Sequence, residues 1–200
     1  MNYQELYKIL TACYAIAPKT DVRYYLNGVK FKSDEYGYTI EATDGRRLVQ
    51  FKSESLIQGA GVDTILDIKH VKLFIDKIKA RGYHKTDVNE VFITGIADNK
   101  IDFNLGPIDI IDGRYPDCER VIWKDEPTGT KEIGFDARFL ADIVKVTKPF
   151  ISTKYQGIKM EFRDSLSSTR ITFDTGIDGL NSIIIILPCR LEGILSNNNN

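Results

Sequence analysis

Apolar residues recur along this chain with two periods, and the alternation of those periods is itself repeated. Between residues 3 and 16, Leu6, Ile9, Leu10 and Cys13, followed by Ala17, fall on one helical face, and Pro18 just beyond is a stop. Three strand-like runs follow, Val22–Lys32, Gly37–Ala42 and Leu48–Lys52, separated by the turn signals Asp34-Glu35 and Asp44-Gly45. A short strand, Thr64–Asp67, then leads into a helix whose inward face is Ile68, Val71, Phe74, Ile75 and Ile78, and Gly82 closes it. Three more runs are Glu90–Thr94, Lys100–Asn104 and Ile108–Ile111. After the polar linker Lys124–Gly129 the pattern starts again. Lys131–Phe135 is a predicted strand, and Ala137–Thr147 a helix with Phe139, Leu140, Ile143 and Val144 inward. Gly157–Phe162, Thr169–Phe173 and Ser182–Leu187 are predicted strands.

The order strand-helix-strand-strand-strand therefore occurs three times, the first copy without its leading strand. Consecutive antiparallel strands with one helix per unit predict an α+β fold with the helices on one face of the sheets. Residues 1–123 hold two units, residues 131–191 hold one, and residues 192–200, ending in four asparagines, read as a disordered tail.

Composition narrows the chemistry. Lys and Arg number 27 against 28 Asp and Glu, a net charge of −1, which excludes a wholly basic DNA coat and leaves room for a local patch. With only His70 and His84, histidine-based metal sites and Ser-His-Asp catalysis are poor fits. Cys13, Cys118 and Cys189 are far apart and odd in number, so isolated thiols in a reducing compartment are expected rather than disulfides or a zinc site. The start MNYQELYK lacks a basic segment followed by an apolar one, and the apolar run Ile183–Pro188 is too short to span a bilayer, so a cytoplasmic protein without a membrane contact is expected. No phosphate-loop, dinucleotide, nucleophile-elbow or zinc-protease motif occurs. Asp109, Asp112 and Asp117 read as strand-end and turn residues rather than as a metal site. No cofactor and no catalytic residue is assigned, and nothing points to an enzyme.

The charge is uneven. Residues 68–85 hold Lys69, Lys72, Lys77, Lys79, Arg81 and Lys85 against Asp76 alone, and the third helix carries Arg138, Lys145 and Lys148 against Asp142. One reading is a solvated helix face. The other is a row of basic helices that meets the phosphates of double-stranded DNA without reading its bases.

Several segments, in order, resemble one family. Asp21-Val-Arg-Tyr-Tyr-Leu-Asn-Gly28 with Ala42-Thr-Asp-Gly-Arg-Arg-Leu48 is similar to the middle domain of the bacterial sliding clamp, the β subunit of DNA polymerase III. Ile111-Asp-Gly-Arg-Tyr-Pro-Asp-Cys-Glu-Arg-Val-Ile122 resembles the end of that domain. Glu132-Ile-Gly-Phe135, Asp164-Ser-Leu-Ser-Ser168 and Leu187-Pro-Cys-Arg-Leu191 resemble the second half of the family's last domain. The resemblance covers residues 3–191 and lacks counterparts of the family's first domain and of the first half of its third. It implies the DNA-clamp fold and a processivity factor of DNA replication, without catalysis, that binds DNA non-specifically and docks peptides of polymerases and other replication or repair proteins. It also admits a clamp loader as a partner. A clamp-like adaptor or decoy that never encircles DNA is the alternative.

Carried over by position, one wall of the peptide pocket is Leu26, Thr43, Gly45, Arg46, Arg47, Leu48, Pro116, Arg120 and Val121. The other wall is Asp136, Phe139, Leu166, Ser168, Ile185, Ile186, Leu187, Pro188, Cys189, Arg190 and Leu191. Arg46 stands where the family commonly has His, and Cys189 where it commonly has Met, which implies a reshaped pocket. Read without the resemblance, the same positions are ordinary strand residues of a two-domain core. For DNA, the expected contacts are Lys69, Lys72, Lys77, Lys79, Arg138 and Lys145, with Tyr24 and Tyr25 near the same surface by resemblance. Unit three has no paired unit within the chain. A homo-oligomer is therefore expected, by two-fold pairing of unit three or by head-to-tail docking on unit one.

Overall fold

A computed structural model describes residues 1–59, 61–86, 88–123, 133–151 and 157–189. The first unit is helix α1 (Tyr3–Ile16) and strands β1 (Gly28–Asp34), β2 (Gly37–Thr43) and β3 (Arg47–Ser53). The second is β4 (Val62–Asp67), α2 (Ile68–Ala80), β5 (Ile93–Ala97), β6 (Lys100–Phe103) and β7 (Gly106–Asp109). The third is α3 (Ala137–Thr147), β8 (Ile158–Phe162), β9 (Thr169–Phe173) and β10 (Asn181–Ile186). The expected leading strand of unit three falls partly on residues 131 and 132, which lie outside the described residues. Gly134 forms an isolated antiparallel bridge with Cys189. The expected tail, 192–200, also lies outside them.

One device starts all three helices. Asn2, Asp67 and Asp136 are the N-caps, and their side chains accept from the N–H groups of Glu5, of Lys69 and His70, and of Arg138. The β5–β6 hairpin turns on Asp98 and Asn99, both at positive φ, 50° and 57°, as the twist of such a turn requires.

Strands β4-β1-β2-β3-β10-β9-β8 form one seven-stranded antiparallel sheet, and β5-β6-β7 a second sheet of three. A bridge between Leu66 and Ile110, with the Ile111 N–H donating to the Ile65 carbonyl at 2.8 Å, leads from β7 back to β4. The helices lie against one another in the order α2, α1, α3. One apolar core gathers Leu6, Ile9, Leu10, Val29, Phe31, Val49, Phe51, Phe74, Phe103, Val146, Ile171, Ile184 and Ile186 from all three units.

Unit three is joined to unit one within the chain through one continuous sheet. β10 runs antiparallel to β3, from Asn181 opposite Lys52 to Ile186 opposite Arg47. Behind this seam, Phe51, Phe150 and Phe173 pack as three rings, with centroids 5.2 to 6.4 Å apart. The expected inward stripe of α3 divides accordingly. Ile143, with Val146 and Thr147, is buried, and Phe139 packs partly on the core, whereas Leu140 and Val144 are exposed.

Other boundaries shift for identifiable reasons. Val22–Lys32 is not one strand. Tyr24–Leu26 is a 3₁₀ turn, because Asn27 closes the loop on Asp21: its Oδ1 accepts from the Asp21 N–H at 2.6 Å and its Nδ2 donates to the Asp21 carbonyl at 2.9 Å. Residues 89–91 leave the expected strand to pair with Met1–Tyr3, the Tyr3 N–H donating to Asn89 at 2.9 Å and the Val91 N–H to Met1 at 3.1 Å. Ile110 and Ile111 leave β7 to reach β4. The inward faces expected for α1 and α2 are buried as read. Among the described residues, no helix is long and apolar enough to cross a membrane.

The seam makes a direct prediction. Ile184→Ala should cost about 2–5 kcal/mol, as truncation in a closed core does. Ile183→Ala, on the half-buried opposite face, should cost clearly less, as read by urea denaturation of the two variants side by side.

Candidate functional site

Strand alternation at the seam makes two surfaces from one run of isoleucines. Ile184 and Ile186 enter the main core. Ile183 and Ile185 turn the other way and join Leu26, Leu48, Ile65, Tyr115, Cys118 and Ile122 in a second apolar cluster. Over that cluster opens a cleft of about 200 Å³. Its lining brings together Leu26, Thr43, Gly45, Arg46, Arg47, Leu48, Pro116, Val121, Ile185 and Leu187, all expected from the sequence. Arg23, Tyr25, Asp117 and Cys118 line it as well. These four were not assigned to the pocket, although each lies inside a segment that carries the resemblance. Their neighbours in those segments were the available signal.

The floor is built by polar contacts that the fold completes. The Thr43 N–H donates to the Tyr115 hydroxyl at 3.0 Å, and burial pushes that phenol well above its ordinary pKa. The turn from β2 to β3 is held closed. Asp44 Oδ1 accepts from the N–H groups of Arg46 and Arg47 at 2.9 and 2.8 Å, and the Thr43 hydroxyl donates to the Arg47 carbonyl at 2.6 Å. Gly45 sits at φ +85°, so the turn needs glycine for its conformation. Leu187 attaches to this turn, its N–H donating to the Arg46 carbonyl at 3.0 Å.

The arginines differ in what they leave free. Arg47 pairs with Asp44 at 2.8 Å and with Asp142 of α3, and its guanidinium lies 4.6 Å from the Phe139 ring centre. Burial works against the Asp142 carboxylate, but hydrogen bonds from Lys145 and Arg47 outweigh it and hold the group below its ordinary range. Arg47 is thus the tie between unit one and α3 rather than a free hand for a ligand. Arg23 pairs with Asp21 at 2.8 Å. Arg46 is exposed, and among the described residues it has no carboxylate within ion-pair distance. It is the cation at the rim best placed to meet a guest.

Beneath the cleft lies a buried carboxylate. Glu41 accepts from Gln50 Nε2 at 2.9 Å, and the same Nε2 reaches Glu119 at 3.2 Å. Burial raises the Glu41 pKa, the hydrogen bonds from Gln50 and Cys118 lower it, and the nearby Glu119 charge raises it again, leaving it above the ordinary value. The Cys118 thiol is pushed up by burial and by Glu41.

Several expected pocket residues lie elsewhere. Ile186 is fully buried in the main core, because strand alternation carries it to the opposite face from Ile185. Arg120 turns outward to Asp117 at 3.0 Å. Leu166 is exposed at the tip of a turn that Asp164 closes, accepting from its N–H at 2.8 Å. Ser168 acts as a strut: its hydroxyl donates to the Val121 carbonyl, and its carbonyl accepts from the Trp123 indole, both at 2.8 Å. Asp136 caps α3 and pairs with Arg138 at 2.6 Å. Phe139 borders a second, adjoining cleft, which shares Arg23, Arg46 and Arg47 with the first. Cys189 pairs with Gly134, its N–H donating at 2.9 Å, and the half-buried Pro188 precedes it without lining the cleft. Arg190 and Leu191 lie outside the described residues.

The expected DNA residues are also dispersed. Tyr25 borders the cleft, and Tyr24 packs on it edge-on at 5.7 Å. On α2, Lys72 pairs with Asp76 at 2.5 Å, while Lys69, Lys77 and Lys79 are exposed and have no ion pair among the described residues. On α3, Arg138 pairs with Asp136 and Lys145 with Asp142, each at 2.6 Å. Two of the acidic spots have basic neighbours of their own: Asp109 meets Lys100 and the His70 ring, and Asp117 meets Arg120.

No protein-family model and no curated protein matches this sequence. The fold does match solved structures. A DNA polymerase III β subunit from Pseudomonas aeruginosa aligns with a TM-score of 0.75 at 19% identity. The Caulobacter crescentus polymerase III β protein gives 0.72 at 20%, and the Thermotoga maritima β subunit 0.71 at 17%. Each alignment covers 96% of this chain and 65% of the other, so the chain spans about two thirds of those clamps. The chain has the α+β fold of the sliding clamps.

The buried carboxylate gives a pH test. Because the folded-state pKa of Glu41 is raised, its ionisation costs stability. The cost is absent below the ordinary value of about 4 and grows as pH rises through the folded-state value. Glu41→Gln should therefore match the parent protein in melting temperature in acid and exceed it increasingly toward neutral pH. A difference that stays constant across that range would contradict the assignment.

Proposed function

We propose that this protein is a sliding-clamp-like replication factor without catalysis, whose working site is the cleft at the β3–β10 seam. Its guest is a short peptide carried by a DNA polymerase or another replication or repair protein. The observation that supports this most is the convergence of Leu26, Thr43, Gly45, Arg46, Leu48, Pro116, Val121, Ile185 and Leu187 on one cleft. These positions come from separate segments of the sequence. The chemistry suits a Leu or Phe anchor: an apolar floor, a rigid turn and few polar groups to desolvate. Arg46 at the rim favours an acidic or carbonyl-rich flank on the guest.

Contact with duplex DNA is the second element of the proposal. Lys69, Lys77 and Lys79 are available on α2 for sequence-independent phosphate contacts. The ion-paired cations of α3 favour a weaker DNA contact than a uniformly basic layer would make. The same pairing is the specific observation behind a second reading, an adaptor that docks peptides without encircling DNA.

A peptide rich in Gln, Leu and Phe should bind with roughly micromolar affinity, about −8 kcal/mol. Leu187→Asp should abolish binding while leaving the fold intact, since Leu187 is 37% exposed. Calorimetry without heat or competition at high peptide concentration would refute the docking site.

DNA contact is tested separately. Anisotropy of a labelled duplex should show weak binding that falls steeply with salt, and Lys69→Glu with Lys79→Glu should remove it. Peptide binding without any DNA binding at low salt would favour the adaptor. Tight, salt-insensitive, sequence-specific binding would contradict both readings.

A further inference from the structure

Counted from the three helix caps Asn2, Asp67 and Asp136, the same helical positions can be compared in each unit. The first, fourth and eighth residues after the cap are Tyr3, Leu6 and Leu10 in α1, and Ile68, Val71 and Ile75 in α2. All six are buried, the most accessible being Ile75 at 6%. In α3 the same positions are Ala137, Leu140 and Val144, with Leu140 37% and Val144 61% exposed. The repeated unit therefore uses one helix face for packing in two copies and leaves it open in the third.

The strand next to it is open as well. In unit one, the strand that follows the helix, β1, is paired on its outer side by β4, which leads into α2. Its counterpart in unit three, β8, is the last strand of the seven-stranded sheet, and Ile158 at its start is 40% exposed. The helix pair α1–α2 and the strand pair β1–β4 are two parts of one contact between units. Among the described residues, unit three lacks both parts together. That contact is also reciprocal: while β4 pairs with β1, the residues leading into α1 pair with those before β5, Asn2 bridging Glu90. Each unit gives the other the same two elements, so the surface is self-complementary in kind.

We propose that unit three pairs with unit three of a second copy of this chain across a two-fold axis. The pairing repeats between chains what units one and two do within one: α3 lies against α3, and residues 133–136, which lead into α3, lie along the partner's β8. A like unit covers this face in both other copies of the repeat, which is the reason to place a like unit here. The charge pattern fits. The open stripe Ala137, Leu140, Ala141 and Val144 carries no ionisable group, and the neighbouring cations Arg138 and Lys145 are neutralised by Asp136 and Asp142 of their own chain. Two copies can therefore approach without opposing like charges, and β8 ceases to be an exposed edge.

Ile143 is buried within the chain, so a test at that position would perturb folding; Leu140 and Val144 are the discriminating positions. Sedimentation velocity of the full chain at micromolar concentrations should give a dimer. Leu140→Glu combined with Val144→Glu should shift it to a monomer, with an unchanged far-ultraviolet spectrum. Ile96→Lys, on the exposed edge strand β5, should leave the dimer intact. A monomeric parent protein, a dimer that survives the double substitution, or a dimer lost only in Ile96→Lys would each overturn the proposal. Leu140 and Val144 do not line the cleft, so peptide binding by the monomeric variant reports on the docking site independently.

Discussion

The antiparallel pairing of β3 with β10 is the constraint on which the rest of the molecule depends. It joins two segments far apart in sequence, residues 47–53 and 181–186, across the linker between the second and third units. Once that register is set, alternation decides every neighbouring side chain. Val49, Phe51, Ile184 and Ile186 face the helices, and Leu48, Ile183 and Ile185 face the cleft floor. A slip of one residue would exchange the two sets and place the cleft's apolar floor where the core must be. The cleft and the core are therefore two faces of one seam and have to form together.

The seam is reinforced on the helix side by a charge-assisted tie. Arg47 begins β3, holds Asp44 in the preceding turn and Asp142 in α3, and stacks on Phe139. A planar guanidinium presents its donors on two fixed edges and so serves both carboxylates at once, a geometry that the single ammonium of a lysine does not fix. The tie fixes α3 against unit one and stiffens the turn that presents Gly45 and Arg46 to the cleft. Rigidity here lowers the ordering cost of binding a short peptide, so the energetics of the seam and of the proposed site are linked.

Electrostatics separates the helices that packing makes alike. All three begin on the same kind of cap, yet among the described residues α2 shows unpaired lysines while α3 pairs Arg138 and Lys145 with its own carboxylates. The helix layer is thus asymmetric: one end is suited to phosphate, and the other presents an apolar, charge-balanced face. The proposed DNA contact and the proposed self-association fall on opposite ends of that layer, with α1 between them.

The sequence by itself determined the period of each segment, the three-fold repeat, the antiparallel sheet class and the buried faces of α1 and α2. These follow from local patterning, which needs no partner to be legible. The resemblance also marked most of the cleft lining, because the segments that carry it are the ones that border the cleft. The tertiary structure alone decided which strands meet across units. It sent Ile186 to the core and Ile185 to the cleft, turned Arg120 and Leu166 outward, and made Ser168 a strut. It also left Leu140 and Val144 exposed although they continue an apolar stripe. Most of these outcomes depend on a neighbour far away in the chain: β3 for β10, Val121 and Trp123 for Ser168, α1 for one side of α3, whereas Arg120 turns to Asp117 only three residues before it. Periodicity states that a face is apolar; only the packed structure states what covers it.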